Sequence, residues 1–404
     1  MRQQVSATSA WLRNAFRAII TVMALLTGLT LQAFALDAQD FANQLNRAYA
    51  KLNGQISYSA ADIEGTTIIL RDAALTSRNA PSIPTGDMTF ESVSALPDGG
   101  YRVETAFIPD LDLSQQDASL SIKGFAIDGL VIPGGTDEQG GSFGYDEIRS
   151  GPIRLANSDD ELFSIAETRT RLNETDDGTR YETDFVAADV SINLTTLDNP
   201  QTRDAFQKMG YSAFTGNITG AVNWTPATGR VDIEEYAFDI DEFGRVSLSA
   251  DISGYTREFI ESVREMQAIQ EQINPNDPQA QQAAGLALIG VMQQLTFSSA
   301  KIRFDDASGT ARILSYAGNR QGLSGDQMAQ AVKEMAPLML AALQNAELQE
   351  QITSAISAFV DDPKTLMISA MPENPVPFAL ILGAAMTAPQ SLPQILGLAV
   401  TANE

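Results

Sequence analysis

The sequence contains no cysteine and no histidine. Without a thiol there is no disulfide, no thioether lipid anchor and no cysteine nucleophile. Without imidazole or thiolate, this chain alone builds no Ser-His-Asp or Cys-His constellation. It also builds no zinc, copper, haem or iron–sulfur centre from His or Cys ligands. Tryptophan is scarce, with Trp11 and Trp224 the two in the chain. Positive charge is scarce as well: 26 Lys and Arg stand against 51 Asp and Glu, a net charge of −25. That balance opposes binding to nucleic acid and to anionic headgroups. Membrane contact is therefore expected to be at most peripheral and to use apolar surface.

The chain opens with a leader pattern. Arg2, Arg13 and Arg17 precede the apolar run Ala18–Leu31, and Gln32-Ala33-Phe34-Ala35 forms a small-residue exit. Basic start, short apolar core and A-x-A ending read as a signal peptide over 1–35, cleaved after Ala35. The destination is then periplasmic or secreted. The apolar run falls short of the ~20 residues that span a bilayer as a helix; retention as an anchor is the alternative. Residues 1–35 hold three arginines and no acid, so their removal takes the net charge to −28.

At 404 residues and 44% hydrophobic composition the chain can bury a sizeable core. After Asp37, the spacing of Phe41, Leu45, Ala48, Tyr49 and Leu52 predicts a helix. From Gln55 to about Leu197, short Ile/Val/Thr/Phe/Tyr-rich segments bounded by Gly, Asp, Asn and Pro predict a succession of hairpins. Asp198-Asn-Pro200 opens a short helix. Beyond Tyr255 the texture mixes. Helices are predicted along Phe259–Ile273, from the capping box Ser324–Gln327 into Met328–Leu343 with a kink or split at Pro337, and along Leu348–Phe359. Ala283–Leu295 is apolar nearly all round and is expected to be buried. Alternation predicts strands at Thr296–Phe304, Thr310–Tyr316, Thr365–Ala370 and Leu398–Ala402, with an apolar helix at Val376–Met386. The fold class is α+β: a β-rich meander, or curved antiparallel sheet with helices packed on it, and a mixed helical C-terminal part. The expected organisation is a signal over 1–35, a β-rich region with an N-terminal helix over 36–255, and a mixed helix/strand region over 256–404 that continues the same sheet.

Partial chemical motifs are each weak. Gly140-Gly-Ser142-Phe-Gly144 matches the G-x-S-x-G elbow, but it lies in a glycine-rich loop in a chain without histidine. Ser298 and Lys301 match a Ser-Lys spacing that works on a helix, whereas their flanks alternate as a strand. No Walker or G-x-G-x-x-G loop occurs. Asp239-Ile-Asp241-Glu-Phe-Gly244 begins like a calcium loop, yet the fifth and twelfth positions are Phe243 and Ala250, which supply no ligand. The flanking Tyr236, Phe238 and Ile240, then Val246, Leu248 and Ile252, instead predict a hairpin with these side chains turned one way. A slip of phase between Ile233 and Tyr236 predicts a bulge at Glu234-Glu235. No catalytic residue, metal ligand or cofactor is expected on these motifs.

Two stretches resemble a known group. One runs Met209-Gly-Tyr211, Gly216-x-Ile-x-Gly220, Trp224-Thr-Pro, Thr228-Gly229 and Gly244-x-Val-x-Leu-Ser-Ala250. The other runs Phe359-x-x-Asp-Pro363-Lys-Thr-Leu-x-Ile-Ser-Ala370, Pro375-Val-Pro377 and Thr401-Ala-Asn403. With the leader, they resemble uncharacterised secreted envelope proteins of alpha-proteobacteria, loosely similar to YdgA-like and AsmA-like periplasmic proteins. The resemblance implies long β-sheets, sometimes curled into an apolar groove for lipid; its motifs name no catalytic or binding residue.

Three functional readings stand at this level. The first is a non-enzymatic periplasmic protein that binds a lipid or other apolar ligand in a β-sheet groove, against the plainer reading that its apolar helices plug the sheet as core. The second is a structural or assembly partner for envelope proteins. The third is a glycan-binding or carboxylate-dependent glycan-active protein using an acidic cleft near Trp224. N-terminal sequencing of protein recovered from its native envelope is expected to begin at Leu36. A recovered chain that still carries Arg13 would show the leader to be retained.

Overall fold

The structure, a computed structural model, describes residues 36–77, 80–135, 143–158, 160–175, 178–270, 278–341 and 345–404. The leader and Ser142 of the elbow motif lie outside them. The chain divides into two compact units. One holds the described residues up to Leu172 with Phe185–Ile192; the other holds those of Asn173–Asp184 and from Asn193 to Glu404.

In the first unit, helix α1 (Ala38–Ala50) starts where Asp37 caps it, its carboxylate accepting from the Gln39 and Asp40 N–H groups at 2.9 and 3.0 Å. The sheet is antiparallel at every described pairing. Strands β1 (Gly54–Ser57) and β2 (Ala60–Glu64) both pair with β3 (Thr67–Ser77), and β3 pairs with β4 (Ala80–Glu91). Then β4 and β5 (Ser94–Ala95) pair with β6 (Tyr101–Phe107), and β7 (Leu111–Gln115) with β8 (Ala118–Ile122). β9 (Ala126–Ile132) lies between β6 and β10 (Glu147–Ser150), while β11 (Ile153–Asn157) lies between β8 and β12 (Asp160–Ile165). β10 also pairs with β13 (Glu167–Glu174), and β12 with β14 (Tyr181–Asn193). Hairpins between neighbours, such as β3 with β4, β7 with β8 and β11 with β12, alternate with pairings that skip strands, β6 with β9, β8 with β11 and β10 with β13, so the sheet is antiparallel but its order is not the simple succession of hairpins that the turn residues predict.

Strand alternation sorts this sheet into two faces. One face carries Ile68, Leu70, Met88, Phe90, Val103 and Leu130, all buried together with Phe41, Leu45 and Tyr49 of α1. The Phe41 ring sits edge-on to Phe90 at 4.9 Å and to Tyr101 at 5.3 Å. The Asn46 amide stitches the helix to β1, accepting from the Ile56 N–H at 2.7 Å and donating to the Ile56 carbonyl at 2.9 Å. A small apolar cavity of about 50 Å³ lies beneath α1, lined by residues such as Leu45, Met88 and Phe143. The opposite face is a lattice of cross-strand ion pairs. Arg71 bridges Asp62 and Asp87 at 2.8 and 2.9 Å, Arg149 meets Asp128 at 2.9 Å, and Lys123 meets Asp112 at 2.5 Å. Such exposed pairs are screened by solvent and contribute little, whereas a buried aromatic removes a large apolar surface from water, so the α1 core holds this unit together.

In the second unit, α2 (Pro200–Lys208) precedes a further set of antiparallel strands. β15 (Ala213–Thr225), β16 (Arg230–Ile240), β17 (Gly244–Ser253), β18 (Thr296–Asp306), β19 (Thr365–Ala370) and β21 (Leu398–Ala402) pair in that order, and β20 (Val376–Pro377) joins the start of β18. Helices are inserted between paired strands: α3 (Arg257–Gln270) and α4 (Pro278–Met292) before β18; α5 (Gly309–Asn319), α6 (Gly325–Leu340) and α7 (Ala346–Asp361) before β19; α8 (Phe378–Thr387) and α9 (Leu392–Ile395) before β21.

The second unit departs from the sequence expectations in three places. Residues 310–316, expected as a strand, form the body of α5. The Asp306 carboxylate accepts from the Ser308 and Thr310 N–H groups at 2.9 and 2.8 Å, which caps a helix from outside the alternating stretch. Helix α6 runs through Pro337 to Leu340 and is not split there; its capping box at Ser324 and Gln327 is present. Helix α4, expected to be buried, leaves Leu286 and Ile289 exposed.

Two measurements probe the first unit. Phe41→Ala is expected to cost about 3–5 kcal/mol in urea unfolding, the usual loss for a buried aromatic; a change below 1 kcal/mol would mean that α1 is not its core. Asp87 is held below the ordinary aspartate range by the Asp72 N–H and by Arg71, and Asp112 by Lys123. A depressed carboxylate stabilises the fold above its unfolded-state pKa of about 3.9 and loses that contribution as pH falls through its folded value. With no histidine, unfolding midpoints are expected to stay level from about pH 5 to 8 and to fall only below about pH 4. A step near neutral pH would contradict this.

Candidate functional site

The candidate site is one face of the second unit's sheet. Its floor follows from strand register. Tyr236 of β16 lies opposite Leu248 of β17, Leu248 opposite Ile302 of β18, Ile302 opposite Ile368 of β19, and Ile368 opposite Val400 of β21. The adjacent row runs Ile218, Phe238, Val246, Phe304, Leu366 and Ala402. A third row brings Val231, Ile252, Phe297 and Val376 together. At a strand rise of ~3.4 Å and a spacing of ~4.8 Å, this floor measures about 20 Å along the strands and about 24 Å across them.

The middle of the floor is open. Phe238, Leu248, Ile302 and Ile368 expose 37–49% of their surface, although each sits in register beside another apolar side chain. Scattered exposed hydrophobics are ordinary, but a contiguous set across four strands is not. One end is walled by aromatics. Phe243 at the β16–β17 turn lies 5.7 Å from Phe214 and 5.8 Å from Phe304, and Phe359 of α7 meets Phe304 at 6.1 Å. Tyr211 joins this wall, its hydroxyl donating to the Glu242 carbonyl at 3.0 Å while Arg312 lies over its ring at 4.6 Å. Burial raises the Tyr211 phenol above its ordinary pKa. At the other end Phe297 faces Phe378 of α8 at 6.3 Å. The floor with these two ends forms a trough.

The reverse face is polar and internally paired. Arg245 pairs with Asp239 and reaches Glu235 at 2.7 Å; Arg230 meets Asp251 at 2.9 Å; Arg303 meets Asp305 at 2.6 Å. These carboxylates raise the pKa of each guanidinium, Asp239 foremost for Arg245. Opposite charge is thus concentrated on one face, leaving the other to apolar groups.

The sequence motifs fall into place around this sheet. The stretch from Gly229 to Tyr255 is a hairpin with its register shift between Ile233 and Tyr236, where the bulge was expected. Asp239 is an arginine partner, and Asp241 sits in the turn, accepting from the Thr215 hydroxyl at 2.6 Å. Among the described residues no group of three or more acids is placed to hold a metal ion. Lys301 lies opposite Ser249 and Ser369 on β18, and Ser298 is the unpaired residue at a second bulge. Trp224 stacks on Tyr181 at 5.6 Å and donates to the Tyr255 carbonyl at 2.8 Å, so its indole is engaged in packing.

Residues quoted for the resemblance have structural roles here. A Cβ on Gly216 would lie 1.8 Å from the Asp239 carbonyl oxygen, so glycine is required where β15 closes on β16. Asn403 clamps the end of α7, donating to the Ala358 and Asp362 carbonyls at 2.9 Å. Sequence reading missed the far half of the trough. Ile302, Ile368 and Val400 each alternate correctly within their own strands, but nothing local says that strands separated by whole helices lie side by side.

A model of a family described as "Uncharacterized protein" matches residues 237–403, which span most of the trough from within β16 to the residue after β21. None of the curated proteins matches the chain.

Proposed function

We propose that this protein is a non-enzymatic periplasmic envelope protein that binds a lipid or similar apolar molecule along the trough formed by the strands of its second unit. One observation carries the reading: Leu248, Ile302 and Ile368, opposite one another on three neighbouring strands, and Phe238 in the next row of the fourth, are left open to solvent. A face of this kind costs free energy unless it is covered. Each methylene removed from water contributes about 0.8 kcal/mol, so an acyl chain laying ten methylenes on the floor gains about 8 kcal/mol. That corresponds to micromolar affinity before the cost of association. The aromatic wall of Phe214, Phe243 and Phe304 gives the trough a closed end against which a chain terminus can rest. The ion-paired reverse face supports the same reading, because its carboxylates are occupied with arginines rather than gathered into a cleft. The leader and the negative charge support an extracytoplasmic setting in which nucleic acid is not a partner.

The test uses the delipidated protein and a fluorescent long-chain fatty acid. Saturable binding is expected, and Leu248→Glu with Ile302→Glu is expected to weaken it at least about tenfold, since a carboxylate on the floor must be desolvated. Circular dichroism would verify that the variant folds. No saturable binding, or undiminished binding by a folded double variant, would overturn the reading.

A further inference from the structure

Helices α4 and α8 are the second feature of this unit that its fold does not use up. They pack against each other, and the Phe378 N–H donates to the Leu295 carbonyl at 3.0 Å, which ties α8 to the entry of β18. Their outward side chains are apolar and unusually bare: Leu286 is 64% exposed and Met386 80%, with Ile289, Leu380 and Leu382 exposed beside them. The surrounding sequence is bare of charge as well. In a chain of net charge −25, no Asp, Glu, Lys or Arg occurs from Pro278 to Ala300, and none from Asn374 to Asn403.

We propose that this charge-free α4–α8 surface docks on a neutral lipid surface, one with zwitterionic or uncharged headgroups. Chemistry separates that occupant from the others. A protein interface normally centres on Trp, Tyr or Arg anchors; the two uncharged segments contain none of the three. An anionic membrane is gripped by Lys and Arg, which are equally absent. What remains is Leu, Ile, Val, Met, Phe, Ala, Gly and Pro with a few amides and hydroxyls, a composition that enters the headgroup–acyl boundary without cost to any charge. At 1.5 Å per residue the helices are about 22 and 15 Å long, too short to cross ~30 Å of hydrocarbon and suited to lying in the interface. Among the described residues no helix is long and apolar enough to span a membrane. The surface also adjoins the trough, because Phe378 of α8 faces Phe297 at its end row. The proposal stands independently of what the trough holds.

The experiment is flotation of the full mature chain with phosphatidylcholine vesicles at low and high salt, beside vesicles containing phosphatidylglycerol. Comparable flotation with phosphatidylcholine at both salts is expected. Leu286→Glu with Leu380→Glu is expected to reduce it at least about tenfold, while Ile302→Glu on the trough floor floats like the parent chain. The separation of those two variants distinguishes failure of docking from failure of the trough. Absence of flotation, binding confined to the anionic vesicles at low salt, or a self-associated species in sedimentation that Leu286→Glu dissociates would each overturn the proposal. The glutamates are placed at exposed positions, and a circular dichroism spectrum matching the parent verifies their folding.

Discussion

Everything in the second unit depends on a side-chain period of two being kept in phase across six strands. A strand that gains or loses one residue turns every later side chain to the opposite face. Strand β16 contains such an extra residue. Val231 and Ile233 lie on the trough face, and so do Tyr236 and Phe238, because the register shift between Ile233 and Tyr236 absorbs the additional position. The same shift is matched on the β15 side, where Gly220 pairs with Tyr236 and Val222 with Ile233. A second shift, at Ser298, keeps Phe297 on the same face as Ala300 and Ile302. Without these two bulges, serine and glutamate would stand on the floor and the apolar side chains would face the arginines behind it.

That phasing also explains how a strongly acidic chain carries an apolar face. The carboxylates are placed on the reverse of the same strands, where Arg230, Arg245 and Arg303 take them up in cross-strand or same-strand pairs. Few cations are needed, because each guanidinium serves one or two acids. The first unit divides its faces in the same way, but there α1 covers the apolar side, and Phe41 and Tyr49 fill the space that remains. Two sets of strands of one design thus have different fates. One is closed by a helix that immediately precedes it in sequence, whereas the middle of the other stays uncovered although several helices are inserted among its strands.

Local features were legible in proportion to how local their causes are. The hairpin from Gly229 to Tyr255, its bulge, and the strands Ala118–Ile122, Thr365–Ala370 and Leu398–Ala402 all follow from alternation and turn residues within a few positions. The capping box at Ser324 did as well. Residues 310–316 misled because the group that starts their helix, Asp306, lies at the end of the preceding strand and outside the alternating window. Helix α4 misled in another way. An apolar sequence predicts burial only when a partner surface exists, and here Leu286 is left 64% exposed.

By itself the sequence determined the excluded chemistries, the β-rich α+β class and the faces of most strands, because residue type and a period of two are properties of a few neighbouring positions. Only the tertiary structure decided which strands stand side by side, and therefore that Leu248, Ile302 and Ile368 form one floor. β17, β18 and β19 are separated by long helical insertions, and no local signal specifies a pairing that skips them. Whether an apolar surface ends as core or remains open depends on what the rest of the chain brings against it, and that is settled by geometry over distances that a sequence window does not reach.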